Sequence, residues 1–220
     1  MPRIKVIGVG PGNLDYLTPA AQRALASVRV LVGGQRHLSY LAREEQKTFV
    51  IKNNLAAMVD FIRLHREEGI AVLASGDPGL YGILNYLRLY FTPEELEVIP
   101  GISSVQLAFA RLAMPWHDAL ILSAHGRPVE DLVNLVRNQG KVALLTGPGA
   151  APNHIASLLL KAKIADRKVF CCCNLGYPEE KILETTPGEL ARRDFSGQNN
   201  CVMVIIDEKS LALCDSGDSR

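Results

Sequence analysis

Short apolar runs rich in branched residues alternate with stretches of helical period along nearly the whole chain, the pattern of an α/β protein built on parallel strands. Ile4–Val9 is one such run, closed by Gly10-Pro11-Gly12. Thr18-Pro19 then opens a helix through Leu25, with Thr18 placed to cap the first turn and Pro19 at the first helical position. Val28–Val32 is the next strand and ends in Gly33-Gly34. Over Asn54–Arg66 the apolar residues Leu55, Met58, Val59 and Ile62 keep a helical beat. Ile70–Ala74 predicts a buried strand, Leu80–Phe91 a helix, Leu96–Ile99 a strand and Ser103–Leu112 a helix. The pattern pauses at Ala113-Met114-Pro115-Trp116-His117, which divides the chain into an expected N-terminal α/β domain over 1–114 and a C-terminal one over 115–220. Further strands are expected at Ala119–Leu122, Lys141–Leu145, Lys168–Cys173 and Cys201–Ile206, with helices at Val129–Arg137 and Pro152–Leu160. The tail from Asp207 is polar and expected to fray.

The bulk numbers narrow the function classes. The 220 residues are 48% hydrophobic and 21% charged, and 24 Lys+Arg against 23 Asp+Glu leave a formal charge of +1. That balance lacks the broad basic field of a nucleic-acid binder, so no nucleic-acid partner is expected, although a local basic pocket for an acidic small molecule is compatible with it. The opening Met-Pro-Arg-Ile-Lys-Val runs straight into a strand, and no apolar stretch reaches about 18 residues. The expectation is a cytoplasmic protein with no membrane partner. Cys171, Cys172 and Cys173 are adjacent, with Cys201 and Cys214 further on. Three cysteines in a row fit neither a zinc site nor a disulfide framework, and are read as small apolar residues on a buried strand in a reducing compartment.

The chemistry is concentrated where strands end, which is where open α/β sheets bind ligands. Gly8-Val9-Gly10-Pro11-Gly12-Asn13 suggests a dinucleotide fingerprint but fails it: Asn13 stands where the third glycine is required, Pro11 removes an amide donor, and the second strand ends in Gly33-Gly34 rather than in an acid. The loop Ala74-Ser75-Gly76-Asp77-Pro78-Gly79-Leu80-Tyr81-Gly82 is more specific, a rigid turn carrying one carboxylate. Pro100-Gly101-Ile102-Ser103-Ser104 turns sharply into a helix, its hydroxyls placed to cap that helix or to bind a carboxylate there. Leu145-Thr146-Gly147-Pro148-Gly149 repeats the theme in the second half.

Together, and in this order, these loops resemble the tetrapyrrole (corrin/porphyrin) methyltransferase family over nearly the whole chain. The resemblance implies two α/β domains with S-adenosylmethionine held in the cleft between them, and a homodimer. It implies cofactor contacts at Pro11, Asp77, Leu80, Ser103, Ser104, Thr146 and Gly176, with Gly76 and Pro78 shaping the Asp77 loop. Gly33-Gly34-Gln35-Arg36-His37-Leu38, Ser123-Ala124-His125-Gly126-Arg127 and Leu175-Gly176-Tyr177-Pro178-Glu179-Glu180 look like the branch that methylates C5 of a corrin precursor in cobalamin synthesis. Some relatives of that branch carry a fused domain for methylation at C15 and decarboxylation; here that chemistry is expected to need a separate protein.

Methyl transfer from a sulfonium is an in-line displacement, so the protein chiefly supplies position and a suitable electrostatic environment. A polycarboxylate tetrapyrrole calls for cations, and Arg36, His37, His125 and Arg127 are the substrate-binding candidates. His125 is also the candidate catalytic base for the proton left after methylation. Two alternatives stay open: a methyltransferase of the same fold acting on another precorrin carbon or on RNA or protein, and a non-catalytic ligand-binding α/β protein.

Overall fold

The structure is a computed structural model that describes residues 1–124, 129–147, 149–195 and 200–207. The chain divides into two compact units, Met1–Ser104 and Val105–Arg220, so the division falls ahead of the expected junction at Ala113–His117.

In the first unit the elements run β1 (Ile4–Gly8), α1 (Pro19–Ala26), β2 (Val30–Gly33), α2 (Gln35–Leu41), β3 (Lys47–Val50), α3 (Leu55–His65), β4 (Ile70–Ala74), α4 (Leu84–Leu87) and β5 (Leu96–Ile99). The strands form one five-stranded sheet in the order β3-β2-β4-β1-β5, and every pairing in it is parallel. Both faces are covered, which is why the strands read as continuous apolar runs. One face stacks Ile4, Val6, Val30, Val32, Ile70 and Val72 against Met58, Val59 and Ile62 of α3. The other stacks Ile7, Leu31, Ala71 and Leu73 against Ala21, Ala24 and Leu25 of α1. Burial of a Met, Val or Ile side chain contributes roughly 1.5–3 kcal/mol. The start of α1 is set locally, by Thr18 Oγ1 accepting the Ala21 amide at 3.1 Å with Pro19 following.

The second unit takes in α5 (Ser104–Arg111) apart from its first residue, then β6 (Leu120–Ser123), α6 (Val129–Arg137), β7 (Lys141–Leu145), α7 (Pro152–Lys161), β8 (Arg167–Cys173), β9 (Lys181–Thr185), α8 (Pro187–Leu190) and β10 (Cys201–Asp207). Its sheet has the order β6-β7-β10-β8-β9. Only β6 and β7 are parallel; β10 runs antiparallel to both β7 and β8, and β9 antiparallel to β8. The expectation of a sheet built on parallel strands is met in the first unit, whereas the second sheet is mixed. Residues 174–180, which join β8 to β9, are too few for a crossover, so the chain must reverse. One face of this sheet packs Val142, Leu144, Val169, Cys171, Met203 and Ile205 with Ile155, Ala156 and Leu159 of α7.

The expected helix over Leu80–Phe91 shrinks to the single turn of α4. Tyr81 takes a left-handed φ of 53°, and a Cβ at Gly82 would lie 2.5 Å from the Pro78 carbonyl oxygen. The chain folds back onto its own backbone there, and a helix cannot start until that fold is complete.

Candidate functional site

In the first sheet, β1 and β4 are neighbours whose onward connections leave in opposite directions, toward β2 on one side and toward β5 on the other. That switch point is where an open sheet leaves a crevice at its carboxyl edge. Three loops meet there: residues 9–13 after β1, 75–82 after β4 and 100–103 after β5. Gly10 and Gly76 exchange backbone bonds across the gap, N–H to O at 3.3 Å one way and 2.9 Å the other. A Cβ on Gly101 would lie 2.2 Å from the Gly76 oxygen and 2.7 Å from the Gly8 carbonyl carbon, and one on Gly8 would lie 2.5 Å from the Gly101 nitrogen. These glycines therefore serve close packing of loop on loop.

Asp77 ties the arrangement together. Its Oδ1 accepts the Gly79 amide at 2.8 Å and its Oδ2 accepts the Gly101 amide at 3.1 Å. The carboxylate thus closes its own turn and clamps the β5 loop across 24 positions of sequence. Gly76 adopts φ +64°, and its would-be Cβ sits 3.3 Å from Ser103 Cα, so the Ser103-Ser104 turn lies against the same loop. Pro11, Gly76, Pro78 and Ser103 are buried, and Asp77, Leu80 and Ser104 half-buried. The structure thus gathers Pro11, Gly76, Asp77, Pro78, Leu80, Ser103 and Ser104 on loops at one edge. Residues 8–13, 75–82 and 100–104 include no Lys, Arg or His and one carboxylate. That donor set suits a ligand carrying positive charge and hydroxyls, and opposes a pyrophosphate.

The second sheet has a comparable edge. The carboxyl ends of β6, β7 and β8 and the start of β10 lie side by side there. Along it Ala124 donates to the Leu145 carbonyl at 2.9 Å, Thr146 to the Cys201 carbonyl at 3.0 Å and Asn174 to the Asn200 carbonyl at 3.0 Å. Thr146 is buried, and its hydroxyl donates to the same Cys201 oxygen at 2.7 Å. Gly176 lies on the β8–β9 loop with φ +80°, beyond Asn174 at φ +52°. Its amide donates to Glu180 Oε2 at 2.8 Å. His125 and Arg127, the candidate base and one candidate cation, lie outside the described residues, as does Cys214.

Two expectations are corrected. His37 is buried on α2 rather than presented as a cation. Burial, assisted by the charge of Arg36, pushes its pKa from 6.5 to about 4, so it is neutral near pH 7. Arg36 itself is exposed on the first turn of α2. The cysteines are not all independent thiols either: Cys173 and Cys201 face each other across β8 and β10 and are joined by a disulfide. Adjacency in sequence concealed a pairing made by strand register. Cys171 and Cys172 are free and buried, and burial pushes both thiols up to about 12, which leaves them unreactive. Sequence reasoning named Glu180 only within the Leu175–Glu180 segment and missed its partner Arg111, whose side chain meets it from 69 positions away.

Fold and loops define a protein of the tetrapyrrole methylase class, and the comparisons with known proteins agree. The model of the Tetrapyrrole (Corrin/Porphyrin) Methylases matches residues 3–191, and the chain belongs to that family. Cobalt-precorrin-7 C(5)-methyltransferase of Salmonella typhimurium is 34% identical over 94% of this chain and 100% of its own length. The probable cobalt-precorrin-7 C(5)-methyltransferase of Methanocaldococcus jannaschii is 34% identical over 90% of this chain and 96% of its own. Among solved structures, uroporphyrin-III C-methyl transferase from Thermus thermophilus, complexed with S-adenyl homocysteine, shares the fold with a TM-score of 0.76. It is 22% identical and covers 95% of this chain and 99% of its own. Among the described residues, no helix is long and apolar enough to cross a membrane.

Proposed function

We propose that this protein transfers the methyl group of S-adenosylmethionine to C5 of a corrin precursor of the cobalt-precorrin-7 or precorrin-6Y type. The observation that carries this is the set of interlocked loops at the β1–β4 switch point, clamped by Asp77, in a chain aligned with the full length of a C5-methyltransferase. When bound, the cofactor supplies an electrophilic methyl on a sulfonium. The chain contributes position and charge. Pro11, Leu80, Ser103 and Ser104 line the cofactor loops of the first unit, with Asp77, Gly76 and Pro78 fixing their shape, and Thr146 and Gly176 serve the second. Asp77 holds a negative charge beside those loops, which favours a cationic donor over its neutral product. Most contacts fall to backbone groups, since the loops are largely Gly and Pro.

The reduced macrocycle is electron-rich at the accepting carbon. Its methylation would leave one ring proton to be removed. His125 is the proposed acceptor of that proton, and Arg36 and Arg127 the proposed partners of the substrate carboxylates. His37, neutral and buried, is left out of that set. A homodimer and a separate protein for C15 chemistry complete the proposal. Calorimetric titration with S-adenosylmethionine and S-adenosylhomocysteine tests the first part: binding in the micromolar range is expected, and no heat from either ligand would refute it. Mass spectrometry of a precorrin mixture after incubation should show a gain of one methyl, and NMR should place it on C5. Methylation at another carbon would overturn the regiochemistry alone.

A further inference from the structure

The loop between β8 and β9 makes two successive turns, closed by Tyr177 N–H to Asn174 O and Glu180 N–H to Tyr177 O, each at 3.0 Å. Asn174 takes a left-handed conformation that is costly for a residue with a side chain, whereas Gly176 adopts its own freely. One side chain reaches into this loop: Glu180 Oε2 accepts the Gly176 amide at 2.8 Å. Glu180 is in turn held by a fork from Arg111, Nε to Oε1 at 2.6 Å and Nη2 to Oε2 at 3.3 Å. Arg111 stands in the last turn of α5, where a cation is favoured by the helix dipole. That helix begins at Ser104, one of the candidate cofactor residues. Glu180 is one-fifth exposed and Arg111 about two-fifths, too open for the pair to matter much to stability. Its geometry is nonetheless bidentate and aimed at a backbone amide, which is what positioning requires.

We propose that Glu180 is a positioning residue for cofactor binding: it fixes the 174–180 loop through the Gly176 amide, and Arg111 fixes Glu180. The inference rests on the cofactor reading above and makes it more specific. The Gly176 amide is engaged by Glu180, so a contact from Gly176 to the cofactor falls to its carbonyl or Cα.

The test pairs a readout of the loop with one of binding, on the full chain. In proton–nitrogen NMR spectra, Glu180→Ala should shift the Gly176 amide upfield and speed its hydrogen exchange. Dissociation constants for S-adenosylhomocysteine should rise about tenfold in Glu180→Ala and about threefold in Arg111→Met, as expected for losing or loosening a charge-assisted bond. The loss should appear in KM for S-adenosylmethionine rather than in kcat, and Glu180→Gln, which keeps an acceptor oxygen, should restore most of it. Glu184→Gln removes a surface pair with Lys168 on the same hairpin and controls for general loosening. If Glu180→Ala fails to fold, Arg111→Met carries the comparison. Failure of the unaltered chain to bind either ligand would overturn the cofactor reading. A Gly176 amide unmoved by Glu180→Ala, or binding within twofold of the unaltered chain, overturns the positioning role.

Discussion

Replacing Gly101 by Ala is the sharpest test of how the proposed cofactor loops are built. The added Cβ would stand 2.2 Å from the Gly76 oxygen and 2.7 and 2.8 Å from the Gly8 carbonyl carbon and Cα. All three are backbone atoms of loops pinned by strands, so about 1 Å of relief must come from moving the β5 loop away from β1 and β4. Gly101 shows no left-handed φ, so the cost is steric rather than conformational. Overpacking of this kind costs about 1–3 kcal/mol. The same displacement stretches the bond from the Gly101 amide to Asp77 Oδ2, and a charge-assisted bond is worth about 1.5–3 kcal/mol. The sum is about 2.5–6 kcal/mol, a large share of ordinary domain stability. Gly149→Ala is the control: it sits at φ +82° with nothing within 4 Å of a Cβ, so only left-handed strain of about 1–2 kcal/mol applies. Urea unfolding followed by far-UV circular dichroism, beside calorimetric titration with S-adenosylhomocysteine, measures both. Gly101→Ala should lose at least tenfold in affinity as well as stability. A cost no greater than that of Gly149→Ala, with affinity intact, would refute the loop-on-loop argument.

Asp77→Asn offers one acceptor oxygen where two amides need one each, so it should cost about 1.5–3 kcal/mol and weaken S-adenosylhomocysteine binding in the same titration; unchanged affinity would show that the clamp is dispensable. His37 makes stability fall with acid: its pKa is lowered from 6.5 to about 4, so between those values the unfolded chain takes up a proton that the folded chain refuses. The stabilisation is complete above pH 6.5 and is lost progressively down to about pH 4. His37→Gln should flatten that part of the urea-midpoint profile, and an unaltered slope would contradict the burial argument. The disulfide spans 28 residues, which corresponds to about 3.5 kcal/mol of loop-closure stabilisation. Peptide mapping without reductant should recover Cys173 and Cys201 as one cross-linked species, and reductant should lower the unfolding midpoint; finding both as free thiols would exclude the pairing.

What could be read from the chain alone follows what is local. Ile70–Ala74, Leu96–Ile99, Lys141–Leu145 and Val129–Arg137 lie where periodicity and flanking turn residues put them, because a buried strand or capped helix carries its own instructions. β3 and β9 were missed because they are sheet edges with largely exposed, weakly alternating side chains. Strand direction is not written in an apolar run, so the reversal of β10 between β7 and β8 had to come from the fold. The order of the glycine loops was enough to point to the family and to name Asp77 as central. Only tertiary structure decided how Asp77 acts, since its second partner is Gly101 on another strand's loop. Burial likewise decided that His37 is neutral, and strand register that Cys173 meets Cys201. The sequence by itself determined most of the elements, the family and the glycine-rich loops at the strand ends, for these rest on near-neighbour geometry. The pairings that give those loops their shape, Asp77 with Gly101 and Glu180 with both Gly176 and Arg111, span from 4 to 69 positions and exist only once the strands have brought them together.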